Sequence, residues 1–93
     1  MWRKDGEGNY EFLVGGKVWG RVGFLSGRFI AMFLGSDSRL ICHWYNSLKD
    51  ARIWVARMYS RRNDKEFCDL ENDKWMREEM EPSLVEEFLQ SIL

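Results

Sequence analysis

The fold is decided by residues 28–62, which read RFIAMFLGSDSRLICHWYNSLKDARIWVARMYSRR. The apolar run at 29–34 is too short to be assigned to a strand or a helix by periodicity alone. Turn-forming residues bound it at 26–27 and 35–38, and a second apolar run follows at 40–45. The two runs therefore predict a β-hairpin.

A helix is predicted to begin directly after this hairpin. Ser47 and Asp50 have the spacing of a capping box, in which the serine hydroxyl accepts a hydrogen bond from a first-turn amide and the carboxylate accepts one from the amide of the cap residue. Apolar residues then recur at helical spacing, at Leu48, Ala51, Val55 and Met58. This stripe predicts a helix that packs on the strands of the hairpin.

Two more strands are predicted before the hairpin, at residues 10–14 and 17–24. Gly15-Gly16 separates them and suits a two-residue hairpin turn. Residues 1–9 contain few apolar side chains and are expected to form a flexible arm, either mobile or loosely docked. Because each connection is short, the strands together predict a four-stranded antiparallel meander.

The strand at 17–24 has two unusual features. Simple alternation places Trp19 and Arg21 on the same face of the sheet. Gly20 and Gly23 lie inside the strand, where glycine indicates a bulge or the close approach of another backbone.

The strands of the hairpin are apolar on both faces. Phe29, Ala31 and Phe33 alternate with Ile30, Met32 and Leu34. A sheet with one face in water alternates apolar and polar residues more cleanly. The second face is therefore expected to be covered by the C-terminal segment, by a second copy of the chain or by a partner.

The C-terminal segment, residues 64–93, is predicted to be helical. Pro82 interrupts it, and a second capping-box spacing then begins a strongly amphipathic terminal helix. The whole chain, residues 1–93, is predicted to be a single α+β domain. An antiparallel β-meander of about four strands and a packed basic helix occupy residues 10–62, and one or two further helices follow.

Length and composition favour a small globular protein. Ninety-three residues, of which 45% are hydrophobic, suffice for one domain with a core. No apolar run approaches the roughly 18 residues of a membrane span, and residues 1–5 do not resemble a signal peptide. Two cysteines are too few for a disulfide scaffold. A cytoplasmic location without membrane contact is expected.

Charge is divided unevenly between the two parts of the chain. Residues 1–63 contain 11 Lys and Arg against 5 Asp and Glu, whereas residues 64–93 contain 3 against 10. Such asymmetry is typical of chains that use charge to bind a partner, although two opposite halves can also neutralise each other within one domain.

Catalysis is not expected. Cys42 and His43 are neighbours in a predicted strand, so their side chains point to opposite faces and cannot form a nucleophile–base pair. Together with Cys68 they fall short of the four ligands of a structural zinc site. The glycines lack the spacing of a phosphate-binding loop. The sequence predicts no enzyme activity, no metal site and no cofactor.

The predicted helix carries positive charge off its apolar stripe. Its cations are Lys49, Arg52, Arg57, Arg61 and Arg62. With Trp19 and Arg21 on the sheet, they combine cations and aromatic rings as nucleic-acid-binding surfaces do. An ordinary solubilising face explains the same pattern, because cations are favourable near a helix C-terminus. A small nucleic-acid-binding domain is thus one hypothesis.

The order of these elements also resembles a known DNA-binding domain. Three strands and a helix that opens with Ser47-Leu48-x-x-Ala51 are similar to the plant ethylene-response (APETALA-type) domain over about residues 17–60. That family reads the major groove with Arg and Trp along its sheet. The resemblance implies such roles for Trp19, Arg21, Arg28 and Arg39, while the apolar third and fourth strands depart from the family pattern.

The acidic residues of the C-terminal segment lead to a different hypothesis, which we place first. They are Asp69, Glu71, Asp73, Glu78, Glu79, Glu81, Glu86 and Glu87, with Trp75 among them as an apolar anchor. Carboxylates on a helix can mimic a row of phosphates and enter a basic channel. A compact sheet–helix unit with such an acidic run resembles the small anti-CRISPR proteins of phages.

That resemblance implies a non-enzymatic, protein-binding inhibitor or adaptor. Its partner would be a protein, such as a CRISPR effector or another complex that binds nucleic acid, in the cytoplasm of the host cell. Pairing of the apolar sheet face or the terminal helix with a second copy would give a homodimer, which is compatible with either hypothesis.

Overall fold

The part of the chain that the structure describes forms one five-stranded antiparallel sheet and two helices, and is therefore an α+β fold. This computed structural model describes residues 1–35 and 39–77. The strands are β1 (Trp2–Lys4), β2 (Tyr10–Val14), β3 (Lys17–Leu25), β4 (Arg28–Leu34) and β5 (Leu40–Tyr45). The helices are α1 (Leu48–Ser60) and α2 (Lys65–Arg77). Neighbouring strands in the sheet are consecutive in sequence, as predicted for a meander.

The sheet has five strands rather than four because the start of the chain forms β1. The prediction of a flexible arm is wrong for Trp2–Lys4, which pair with β2 so that Trp2 lies opposite Phe12. The carboxylate of Asp5 accepts hydrogen bonds from the amides of Glu7 and Asn9, at 2.8 and 2.9 Å, and so closes the turn. The contact between Trp2 and Phe12 buries apolar area and holds β1 on the sheet, although residues 1–9 contain few apolar side chains.

The two helices begin where the sequence places them. The hydroxyl of Ser47 accepts a hydrogen bond from the amide of Asp50 at 3.1 Å and caps α1, which confirms the predicted cap. At the start of α2, the carboxylate of Asp64 accepts a hydrogen bond from the amide of Phe67 at 3.1 Å. The predicted terminal helix after Pro82 lies outside the described residues.

The first face of the sheet carries the main core. The apolar stripe of α1 packs mainly on β3, β4 and β5. Its buried members are Ala51, Trp54, Val55 and Met58, which meet Val22, Ala31, Phe33 and Ile41 of the strands. Burial of this apolar area at about 25 cal/mol per Å² is the main force that holds α1 on the sheet.

The second face of the sheet is also apolar in β4 and β5, as predicted. Ile30, Met32 and Cys42 are buried there. Trp75 of α2 packs against this second cluster together with half-buried side chains of the strands. The C-terminal segment therefore supplies part of the cover, through Trp75.

A bulge in β3 changes the face to which its side chains point. Phe12 pairs with Gly20 and Leu13 with Val18, so Trp19 is the extra residue. Trp19 consequently packs on the first face, where it stacks on Phe33 at a centroid distance of 6.3 Å. Arg21 lies on the second face, since it pairs with Met32. The prediction that Trp19 and Arg21 share one face is wrong.

Gly20 is also a point of close packing between α1 and the sheet. A Cβ atom there would lie 2.5 Å from Cγ1 of Val55 and 2.8 Å from the carbonyl oxygen of Met32. Such distances are shorter than van der Waals contact, and one of the two neighbours is backbone. The close approach inferred from the glycine is confirmed.

We expect Gly20→Ala to lower the free energy of unfolding by about 1–3 kcal/mol, because the added methyl group overpacks the interface of β3 with α1. Urea denaturation followed by circular dichroism measures this loss. Gly6→Ala is the matched control, since a Cβ at Gly6 meets nothing within 4 Å. Equal stability of the two variants would contradict the close packing described here.

Candidate functional site

A row of aromatic side chains follows the flank of α1 that faces β1 and β2. Ring centroids are 5.2 Å apart between Trp2 and Phe12, 5.5 Å between Phe12 and Tyr59, and 5.2 Å between Tyr59 and Trp19. These residues and Tyr10, which lies on the same face beside them, are half-buried. We call Trp2, Tyr10, Phe12, Trp19 and Tyr59 the aromatic strip. It forms because α1 packs mainly on the other three strands.

Cations lie over the aromatic strip at the end nearer the start of α1. The guanidinium carbon of Arg52 lies 5.0 Å from the ring centroid of Trp2 and 5.9 Å from that of Tyr10. The ammonium group of Lys4 is 5.9 Å from the same tyrosine ring. Arg52, predicted from the sequence as a binding residue, thus meets two aromatic rings that the sequence analysis did not include.

The other end of the strip is built in the same way. Arg62 lies 4.2 Å from the ring centroid of Tyr59 and 5.6 Å from that of Trp19, and its Nη1 donates to the carbonyl oxygen of Tyr59 at 2.8 Å. The ammonium group of Lys17 lies 4.1 Å from the centroid of Trp19. Trp19 and Arg62, both predicted as binding residues, therefore come together.

No carboxylate of the described residues neutralises the four cations that lie on the strip. Within residues 1–35 and 39–77, Lys4, Lys17, Arg52 and Arg62 form no ion pair. A cation over an exposed ring contributes about 0.5–1 kcal/mol, and it keeps N–H donors that can bind an anion. The strip therefore presents aromatic rings beside cations that can still bind an anion.

Other predicted basic residues lie away from the strip. Arg57 is exposed, and it follows Arg52 by five residues, which corresponds to about 140° around the helix. Lys49 is exposed on the outer side of α1. Arg61 donates to the carboxylate of Asp64 at 2.8 Å, and this bond lowers the pKa of that carboxyl. The predicted basic face of the helix is thus divided.

The arginines on the second face of the sheet contact other side chains of the protein. Arg3 and Arg21 lie 3.0 and 3.1 Å from the two carboxylate oxygens of Glu11, which is buried. Arg28 lies over the ring of Trp44, with 4.8 Å from its guanidinium carbon to the ring centroid. These contacts join neighbouring elements, and Arg21 in particular is separated from Trp19 by the sheet.

The predicted acidic surface is only partly present among the described residues. Asp73 is exposed, but Asp69 accepts from Nη1 of Arg39 at 2.7 Å, and Trp75 packs on the second face of the sheet. Glu71 is buried, and is not part of an acidic surface. The remaining predicted residues, Glu78, Glu79, Glu81, Glu86 and Glu87, lie outside the described residues.

Glu71 joins α2 to α1 and to the sheet. Its carboxylate accepts hydrogen bonds from the indole N–H of Trp54 at 3.2 Å and from the ammonium group of Lys74 at 3.1 Å. Nε2 of His43 lies 3.2 Å from the carboxylate and 3.0 Å from the carbonyl oxygen of the same residue. The one histidine of the chain thus has a structural role between strand and helix.

These contacts shift the pKa of the Glu71 carboxyl. Burial raises the pKa of its carboxyl, but the hydrogen bonds from Trp54 and Lys74 and the attraction of Lys74 and His43 outweigh burial, so the pKa is lowered. The negative form is therefore the one that the fold stabilises.

Two further properties concern the described part of the chain. It contains no group of three or more His, Cys, Asp or Glu side chains placed to hold a metal ion. Neither helix within it has the length and apolar character needed to cross a membrane.

Comparison with protein-family models, with curated proteins and with solved structures finds no match for this chain.

We expect Glu71→Gln to lower the free energy of unfolding by about 1–3 kcal/mol at pH 7, because the neutral amide weakens the bonds to Lys74 and His43. A carboxyl with a lowered folded pKa stabilises the fold above its unfolded pKa of about 4.3, and this stabilisation is lost as pH falls through the folded value. The difference between the two proteins should therefore shrink below about pH 4.

Urea titrations at several pH values measure this difference. Asp73→Asn, on the exposed side of the same helix, is the control and should change stability by less than about 0.5 kcal/mol. A constant difference between the original protein and Glu71→Gln from pH 7 to pH 3 would show that the charge of Glu71 is not what stabilises the contact.

Proposed function

We propose that this protein binds single-stranded nucleic acid along the aromatic strip. The observation that carries the proposal is the contiguous row of half-buried rings flanked at both ends by cations without ion-pair partners in the described chain. Surfaces that bind single strands combine aromatic rings, on which bases stack, with cations that follow the phosphates.

Single strands suit the strip better than duplexes do. Bases in a duplex are stacked on each other and present only their edges in the grooves, whereas bases of a single strand can stack on protein side chains. Arg52 and Arg62 lie beside the rings and keep donors for phosphate oxygens, with which a guanidinium group forms charge-assisted hydrogen bonds. Binding of this kind is independent of sequence and weakens with salt.

The test is a titration of fluorescently labelled single-stranded and double-stranded oligonucleotides at low and moderate salt. We expect the single strand to bind more tightly, and Arg52→Gln and Arg62→Gln each to weaken binding by roughly 5- to 10-fold and to reduce the salt slope by about one phosphate contact. Each variant removes one positive charge from the strip.

Arg57→Gln is the matched control for this titration. It removes the same charge from the same helix, but about 140° away from Arg52. If Arg57→Gln weakens binding as much as Arg52→Gln, only overall charge matters and the strip is not the site. Absence of binding at low salt would reject the proposed function itself.

A second candidate is the protein-binding inhibitor or adaptor suggested by the acidic segment. Within the described residues it is favoured by Leu70 of α2, which is 55% exposed. Glu66 and Asp73, four residues before it and three after it, are exposed on the same side of the helix. An exposed apolar residue between carboxylates suits a partner with a basic channel, such as a complex that binds nucleic acid.

This second candidate predicts that the protein prevents a purified CRISPR effector complex from binding its target DNA. Leu70→Ala combined with Asp73→Lys should then weaken inhibition by about 10-fold or more, since both an anchor and a charge are removed. Gel-shift assays of the effector with labelled target measure this. Unimpaired DNA binding at a large excess of the original protein would reject that partner.

A further inference from the structure

A pocket lies near the end of the strip that contains Trp19. It has a volume of about 210 Å³ and lies where Gly35 and Arg39, which follow β4 and precede β5, meet the link from α1 to α2. Its lining consists of Phe33, Gly35, Arg39, Ile41, Arg62, Asn63, Lys65 and Cys68. The polar residues come from two separate segments of the chain, which the fold brings to one place.

The polar lining of the pocket is positively charged. Arg39, Arg62 and Lys65 contribute three cations and Asn63 an amide, whereas no carboxylate is among the described lining residues. The carboxylate of Asp69 forms an ion pair with Nη1 of Arg39. Arg62 and Lys65 form no ion pair within the described residues. Convergent cations at the walls of a concave site favour an anion with several acceptor oxygens.

Arg62 lines this pocket and also lies over Tyr59 and Trp19 of the aromatic strip. We infer that the pocket binds the terminal phosphate of a nucleic-acid strand whose neighbouring bases lie on the strip. This inference rests on the proposed function. It adds a preference for one type of strand end, which the strip alone does not provide.

Charge and shape select a terminal phosphate over an internal one. A phosphate monoester carries about −1.5 to −2 charges at pH 7 and offers three terminal oxygens. An internal phosphodiester carries a single negative charge and continues into sugar on both sides. Phe33, Ile41 and Cys68 also line the pocket, but they are buried and belong to the core.

The experiment compares one single-stranded sequence with three kinds of end: a 5′-phosphate, a 3′-phosphate, and hydroxyl groups at both ends. We expect one of the phosphate-ended strands to bind about 10-fold more tightly than the hydroxyl-ended strand, because it gains charge-assisted hydrogen bonds. Lys65→Gln should remove this preference and leave the affinity for the hydroxyl-ended strand unchanged, whereas Lys65→Arg should retain it.

Lys49→Gln is the control, since Lys49 is exposed on the outer side of α1. Competition with inorganic phosphate and with a nucleoside monophosphate separates the possible sources of the anion. Inhibition by the nucleoside monophosphate at lower concentration than by inorganic phosphate supports a strand end, and stronger inhibition by inorganic phosphate overturns it.

The outcomes separate the two proposals. Equal binding of all three strands, or a preference that persists in Lys65→Gln, overturns the inference about the pocket and leaves the strip as the binding site. Absence of binding to any strand overturns both. Urea denaturation of Lys65→Gln tests whether this variant is still folded, and so separates a lost preference from a lost fold.

Discussion

The close approach of α1 to the sheet at Gly20 is the constraint on which the rest of the molecule depends. Val55 can lie against β3 only because residue 20 has no side chain, and this contact fixes α1 over β3, β4 and β5. One helix cannot also cover β1 and β2. Their aromatic residues are therefore left half-buried beside the helix, and Arg52 of α1 and Arg62, just after α1, reach over the rings. The packing of α1 on the core strands thus determines where the candidate site lies.

Much of the fold could be predicted from short-range patterns. The hairpin of β4 and β5, the cap at Ser47 and the stripe of α1 all depend on residues close in sequence, for which turn chemistry and periodicity are direct evidence. β1 could not be predicted in this way, because Trp2 is stabilised by Phe12 across a turn rich in glycine. The face of Trp19 could not be predicted either, since a bulge shifts the alternation by one residue.

The candidate site was harder to predict because charge in a sequence does not show which charges are paired. Asp69 and Glu71 belong to one acidic run, yet one pairs with Arg39 at the surface and the other is buried against Trp54. Arg52 and Arg57 are equivalent in composition but lie on different flanks of one helix. Helical periodicity places these two arginines on different flanks of α1. Which flank meets aromatic rings depends on which strands the helix covers, and the sequence pattern does not show this.

The position of β1 at the border of the sheet has a consequence for self-association. A border strand has unpaired backbone groups that can recruit a strand from another molecule, and such recruitment leads to aggregates. β1 is only three residues long and contains Arg3 and Lys4, both exposed. Two copies aligned border to border would bring together the Lys4 ammonium groups of both, beside their Arg3 side chains, which are paired with Glu11. The same short, cationic strand that completes the sheet therefore protects a chain rich in aromatic residues from extending it into a fibre.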